Sequence, residues 1–400
     1  MSVLSKRIQS MAASETLAMT AKARELKAQG KDVISLSIGE PDFNTPEAIK
    51  EAAKKAIDDN FTHYPPVPGY ADLREAICTK FRRDNGLEFT PEQIVVSTGA
   101  KQSIYQLVQC LIDPGDEVII PTPFWVSYKE IVRVAEGVPV YVTTKLENDF
   151  KVTPEQLEAA ITPRTKLIMF SSPSNPTGML YTKEELKAIA EVVARHDNLF
   201  VMADEIYEHI NFTGRHESIG QFAEVKDRVI TVNGVAKGFA MTGWRIGFIA
   251  APLEIAKACN KLQGQVTSAT CSIAQKATVC AMLMDPATSS DIQDMRRIFQ
   301  ERRDMVYKML CDIPGVKVRL PQGAFYFFPD VSSYYGKRCG DRVVSNSTDM
   351  AFYLLEEAGV ATVMGSAFGD DNCIRLSYAT SEEQLREALR RIKEALARLQ

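Results

Sequence analysis

The strongest constraint on this chain is an alternation. Short apolar runs rich in Val and Ile recur at Ile94–Ser97, Glu117–Ile120, Val138–Thr143, Lys166–Phe170, Leu199–Ala203, Val229–Val232 and Arg245–Ile249, with amphipathic segments between them. Runs that are apolar nearly throughout suit strands covered on both faces. The intervening helices mark their own starts. Thr153-Pro154-Glu155-Gln156 joins a capping threonine to proline at the first helical position and a glutamine that reaches back. Thr182-Lys183-Glu184-Glu185 repeats the device, and Leu186, Ile189, Ala190 and Val193 then fall on one face. Such alternation predicts an α/β fold: a mostly parallel sheet between two helical layers, a three-layer α/β/α arrangement.

One such core does not account for 400 residues, since domains usually run to about 100–200. After Met284–Ser290 the pattern changes. A long amphipathic helix is expected over 291–312, then strands over Val316–Leu320 and Ala324–Phe328 and a strand pair over Ala361–Met364 and Ile374–Tyr378. A last helix starts at Thr380 or Ser381, with Leu385, Leu389, Ile392, Leu396 and Leu399 as its apolar stripe. The expectation is a large domain over 46–290 and a smaller α+β domain made of 291–400 with the segment 1–45.

Lys and Arg total 47 against 51 Asp and Glu, a net charge of -4, which provides no field for nucleic acid or an anionic membrane. The longest uninterrupted apolar runs, such as Leu167–Phe170 and Leu199–Ala203, are far below the ~20 residues of a membrane helix. The N-terminal stretch carries Lys6, Arg7 and Gln9 in place of a signal-peptide core. A cytoplasmic protein with neither nucleic acid nor membrane as partner is expected. The eight cysteines are scattered without a CxxC pair, as small buried apolar residues would be. The four histidines have no zinc-ligand spacing, so no metal is expected.

In an open parallel sheet, ligands bind beyond the carboxyl ends of the strands. Three of the expected strands run there into polar turns: Ser97–Lys101, Ser171–Gly178 and Asp204–Tyr207. At the first, Gly99 lets the backbone turn and Ala100 and Lys101 open a helix, whose free amides and dipole suit a phosphate. Neither GxGxxG nor GxxxxGK[ST] occurs, which excludes the usual dinucleotide and P-loop sites. Asp204 is either a helix N-cap or a carboxylate held toward a ligand cation, with Tyr207 able to join it. Lys237 stands among small and apolar residues with Arg245 further along. Exclusion from water and a neighbouring cation favour its amine form, which is what a Schiff-base lysine requires.

Four segments in this order resemble the class I aminotransferases, pyridoxal phosphate enzymes of fold type I. They are Ser-Pro-Ser-Asn-Pro-Thr-Gly (172–178), Asp-Glu-Ile-Tyr (204–207), Ala-Lys-Gly-Phe-Ala-Met-Thr-Gly-Trp-Arg-Ile-Gly (236–247) and Ile-Arg-Leu-Ser-Tyr-Ala (374–379). Thr-Pro-Phe-Trp-Val-Ser-Tyr (122–128) and Gly-Glu-Pro-Asp-Phe (39–43) bring the chain nearest to the bacterial aspartate aminotransferase subgroup. The resemblance runs from about Leu4 to the end of the chain.

It implies pyridoxal 5′-phosphate carried on Lys237, with Asp204 on the ring nitrogen, Tyr207 and Asn175 on the ring oxygen, and Trp125 stacked on the ring. Arg245 and the backbone of Gly99, Ala100 and Lys101 would hold the phosphate, joined by Tyr64 from the partner of a homodimer. Arg375 would clamp the substrate α-carboxylate, with the Gly39 backbone beside it. Many relatives have serine where this chain has Ala236, so phosphate binding would lean harder on Arg245. Lys101, Ser14 and Thr16 correspond to groups that meet a second carboxylate, which points to aspartate as amino donor, 2-oxoglutarate as acceptor and ping-pong transfer. Ser14 and Thr16 would then close over the substrate. Ala12 replaces a lysine common in prephenate-accepting relatives. Aromatic, alanine-like or prephenate transfer, or a β-lyase reaction, are the alternatives on the same scaffold.

Overall fold

The computed structural model describes residues 3–12 and 15–400. Seven strands build the central sheet: β1 (Ile94–Ser97), β2 (Glu117–Thr122), β3 (Val138–Thr143), β4 (Thr165–Ser171), β5 (Phe200–Asp204), β6 (Val229–Gly234) and β7 (Gly247–Ala250). Their spatial order is β1-β7-β6-β5-β4-β2-β3. Neighbours are parallel except at β7, which runs antiparallel to β1 and β6. The carboxyl ends of β1, β4, β5 and β6 therefore share one edge of the sheet, the edge where an α/β sheet holds its ligand.

Two expectations about this sheet need correction. β3 is not covered on both faces: Val138 and Tyr141 are exposed, because the strand is the sheet's edge with β2 as its one neighbour. Pro139, which has no N–H to donate, is tolerated in that position. The last strand also begins later than Arg245. That residue adopts a left-handed conformation, φ 59°, and the ladder starts at Gly247.

The helix starts follow the sequence. Thr153 and Thr182 accept from the N–H groups of Gln156 and Glu185, whose side chains return to the capping backbone. The helix Lys183–Ala194 buries Leu186, Ile189, Ala190 and Val193, as their spacing requires.

A second body of structure contains the helices Ser290–Cys311 and Glu382–Ala397 and a three-stranded antiparallel sheet in which Ile374–Ser377 lies between Val363–Met364 and Tyr326–Phe327. Ile34–Ser35 pairs in parallel with Val360–Ala361 and ties the N-terminal segment to this body. Its apolar core includes Phe299, Phe325, Leu389 and Ile392, and also Ile206, Tyr207 and Ile210 from the turn after β5. The expected strand Val316–Leu320 does not form; Lys317 alone bridges Asp330. Pro314 and Pro321 bracket the segment, and Arg319 turns aside to the carbonyls of Leu146 and Glu147. The expected strand Ala361–Met364 is divided, its two halves pairing with different partners.

Among the described residues no helix is long and apolar enough to cross a membrane. All eight cysteines are free. Cys78, Cys259 and Cys373 are buried as expected, whereas Cys271 and Cys311 are exposed.

Candidate active site

At the shared edge of β1, β4, β5 and β6 the chain encloses a cavity of about 270 Å³. Its walls bring together residues far apart in sequence: Gly39, Lys101, Trp125, Asn175, Asp204, Tyr207, Lys237, Arg245 and Arg375 all face it. The strand ends explain how. Asp204 is the last residue of β5, Asn175 lies in the turn leaving β4, and Lys237 lies in the turn leaving β6.

Lys237 is half-buried on the cavity wall and donates from Nζ to the Gly39 carbonyl at 2.5 Å. Burial pushes its amine down to about 8, and the Arg375 guanidinium pushes the same way against the pull of Glu40. The sequence placed a single cation, Arg245, beside this lysine; the fold adds Arg375 from 138 residues away. Asp204 moves in the opposite direction, raised to about 6 by burial. Its carboxylate accepts from Tyr128 Oη at 2.8 Å and from the Ile206 N–H at 3.3 Å. An amine held low and an acid held high in one cavity is the arrangement expected of groups that exchange charge with a ligand.

At one end of the cavity, Gly99 (φ 84°) caps the helix Ala100–Leu111. A Cβ at Gly99 would stand 2.2 Å from Arg245 Nη2, so glycine there lets the guanidinium lie against the helix opening. The first-turn amides of Ala100 and Lys101, which have no intrahelical acceptor, and Arg245 thus form one anion cradle. The Lys101 ammonium sits 4.9 Å from the Trp125 ring centre. Burial and nearby Arg245 hold its amine below the ordinary lysine value.

Elsewhere in the cavity, Arg375 is buried and donates to Asn175 Oδ1 at 3.1 Å and to the Ser37 carbonyl at 2.7 Å. Its Nε has no hydrogen-bond partner among the described residues, an unmet buried donor suited to a carboxylate. Tyr326 and Phe368 flank the guanidinium at 4.6 and 5.0 Å. Tyr207 shares a 2.8 Å hydrogen bond with Tyr326. Gly39 is constrained by that tyrosine: a Cβ would approach Tyr326 Oη to 2.7 Å.

Three further residues were expected at the site, Tyr64 among them from the partner of a homodimer. Tyr64 is 93% exposed and lies outside the cavity of its own chain. Ser14 lies outside the described residues, and Thr16 belongs to the helix Glu15–Ala28 with its side chain outside them. Two residues were missed. Tyr128 follows Trp125 on the helix Ser127–Val134 and reads as a core aromatic; its place in the 122–128 segment was the only available signal. Tyr326 reads as one more apolar residue of a strand.

Removing the Tyr128 hydroxyl leaves a buried carboxylate short of a donor. Tyr128→Phe is expected to lower stability by about 1–3 kcal/mol at pH 8, where Asp204 is ionised. The loss should be smaller at pH 5, below the Asp204 value of about 6. Urea titration at both pH values measures it, and equal losses would contradict the account.

The sequence profile of the class I and II aminotransferases matches residues 31–392. An aspartate/prephenate aminotransferase from Cereibacter sphaeroides is 48% identical over 396 residues, covering 98% of this chain and 98% of the relative. An aspartate aminotransferase from Geobacillus stearothermophilus is 48% identical over 394 residues, covering 97% and 98%. The solved structure of the Thermus thermophilus aspartate aminotransferase with maleate superposes with a TM-score of 0.93 at 45% identity, covering 99% of this chain and 100% of that one. With full-length identity of this order and a shared three-layer architecture, the chain belongs to the class I and II aminotransferase family.

Proposed function

We propose that this protein is an aspartate aminotransferase that moves the amino group of L-aspartate to 2-oxoglutarate, giving oxaloacetate and L-glutamate, with pyridoxal 5′-phosphate carried on Lys237. The observation that carries the reading is the single cavity that holds Lys237, with its amine lowered to about 8, Asp204 raised to about 6, and the free Nε of Arg375.

The residues present fit the cofactor. The cradle of Gly99, Ala100, Lys101 and Arg245, which a Cβ at Gly99 would fill, suits a phosphate. The buried Asp204 carboxylate, raised chiefly by burial, suits a protonated ring nitrogen. Asn175 accepts from Arg375 through Oδ1, which turns its amide nitrogen to a donor's role, and with Tyr207 it suits the ring oxygen. Trp125 gives an aromatic wall for the ring face. Bound there, the cofactor supplies the electron sink that lets an amino acid lose its α-proton.

The chain's own groups do the rest. Arg375 holds the substrate α-carboxylate through Nε and the Gly39 backbone fixes its orientation, bringing Cα toward Lys237. Lys237 Nζ takes the α-proton and returns it, a task for an amine titrating near the working pH. Lys101, with Ser14 and Thr16, meets the second carboxylate. Tyr64 of one protomer completes the phosphate site of the other, which makes the enzyme a homodimer; the 93% exposure of Tyr64 in the single chain supports this. The same reading makes 46–290 the cofactor-binding domain, 1–45 with 291–400 the smaller one, and the cytoplasm the place of action.

The test is a half-reaction panel. Holoenzyme is mixed with each of twenty amino acids, and loss of the cofactor's visible band is followed together with the keto product. Aspartate and glutamate should be fastest, and steady-state plots with 2-oxoglutarate should be parallel. Intersecting plots, or pyruvate and ammonia as products, would point to another reaction. Arg375→Lys keeps the charge but loses the fork, and kcat/KM for aspartate is expected to fall roughly two to three orders of magnitude.

The names of the relatives favour one second reading, prephenate as amino acceptor. Ala12 speaks against it, because the lysine expected at that position in prephenate-accepting relatives is missing.

A further inference from the structure

The residue after Asp204 belongs to a second group of buried charges that the proposed transfer does not use. Glu205 and Glu208 are buried in the turn that follows β5, and His216 is buried with them. Glu205 Oε2 lies 3.2 Å from His216 Nε2. Glu208 is gripped by Lys80 and accepts from Asn85 at 2.9 Å and Asn233 at 2.8 Å. Asn233 Oδ1 in turn accepts from the Gly234 N–H at 2.7 Å, at the end of the strand that leads to Lys237.

Glu205, Glu208 and His216 each bring an atom within 4.8 Å of the others, a spacing that would also suit a metal ion. The Lys80 ammonium already stands on Glu208, however, with His209 Nε2 3.5 Å from the same carboxylate and His216 on Glu205, so side chains supply the counter-charge. Among the described residues, neither Glu205 Oε2 nor either nitrogen of His216 has a partner in hydrogen-bond geometry. At 3.2 Å the attraction is chiefly one of charge, and its strength depends on whether His216 is protonated.

We propose that His216 is a positioning residue for the active site: its imidazolium balances Glu205 and so sets the potential that Asp204, one residue away, presents to the cofactor ring nitrogen. The inference rests on the reading that Asp204 meets that nitrogen. Burial is the largest single influence and opposes a charged His216, yet Glu205, by charge and close contact, and Glu208 together outweigh it and hold the imidazole above its ordinary value. Glu205 in turn pushes the Asp204 carboxyl upward. The other charges around His216 are Glu208 and Lys80. Asp84 and Arg83 lie beside them, together with His209, which burial holds below its ordinary value and hence neutral.

The sign of the effect separates this role from a packing role. Removing the positive charge at His216 makes the ring nitrogen's surroundings more negative and raises its proton affinity; removing the negative charge at Glu205 does the reverse. The test uses His216→Gln, Glu205→Gln and the two combined. Two quantities are read: the imidazole titration of His216 by NMR of histidine-labelled, cofactor-free protein, and the pH midpoint of the visible band in the holoenzyme. His216 should titrate above the ordinary histidine value and fall by roughly one unit in Glu205→Gln. The band midpoint should rise by about half a unit or more in His216→Gln, fall by a similar amount in Glu205→Gln, and return near the parent value in the double variant.

Lower melting temperatures with unmoved midpoints would make His216 a packing residue and overturn the proposal. A His216 titration at or below the ordinary value would do the same without any variant. A protein that takes up no cofactor shows no band at all, and that outcome defeats the functional reading itself.

Discussion

Lys237→Ala is expected to lose amino-group transfer by on the order of five to six powers of ten, the scale seen when a covalent catalytic residue is removed. Two jobs fall on one atom: Nζ holds the cofactor, and once released it carries the substrate's α-proton. The fold should survive. Among the described residues the amine makes one hydrogen bond, to the Gly39 carbonyl, and burial already works against its charge, so its loss removes an unfavourable group along with a favourable contact. Lys237→Arg separates charge from nucleophilicity, because guanidinium keeps the cation and stays protonated; it should be as inactive as the alanine variant. Borohydride reduction of the holoenzyme followed by peptide mapping should place the label on Lys237. A label on another lysine, or a Lys237→Ala enzyme within tenfold of the parent, would remove the basis of the mechanism.

How much of this site the sequence revealed depends on whether a residue's partner is near it along the chain. Asp204 was legible because an apolar strand ends at it, and Gly99 because a strand stops where a helix opens. Those are local patterns, and they fixed the sheet edge to within a residue or two. Arg375 beside Lys237 was not legible from spacing; only the resemblance to a family gave it a role, since the contact is made by two bodies of structure folding against each other. Tyr128 and Tyr326 were hidden for a further reason: a buried aromatic on a helix or strand has the same pattern whether or not its hydroxyl reaches a carboxylate. The strand expected at Val316–Leu320 shows the converse. Its Val-Lys-Val-Arg-Leu alternation is a sound pleat, but a strand also needs a neighbour, and Pro314, Pro321 and the turn of Arg319 toward Leu146 leave it none beyond one bridge.

Asp204→Asn should produce opposite changes in stability and activity. In the cofactor-free chain the Asp204 carboxyl is raised by burial from 3.8 to about 6, a gap equivalent to roughly 3 kcal/mol. The sign follows from where the proton is. Between those two values the native state holds a proton that the unfolded chain has released, so stability falls as pH rises through the window and stays low above it. Asparagine carries no charge to desolvate. Cofactor-free Asp204→Asn should therefore match the parent near pH 4 and exceed it at pH 8 by up to about 3 kcal/mol, a few degrees in melting temperature for a chain of this size. With cofactor bound the balance reverses. The ring nitrogen supplies a cation in direct reach of Asp204, and replacing a fixed charge by a neutral amide should reduce kcat by about a thousandfold or more. It should also reduce the extra stability that the parent gains on loading. Such a residue is kept at a cost to the empty protein because its charge is useful only when the ligand arrives. Melting curves at pH 4 and pH 8, with and without cofactor, decide it: a variant less stable than the parent at pH 8 when empty, or one retaining a tenth of the activity, would show that Asp204 is an ordinary structural acid.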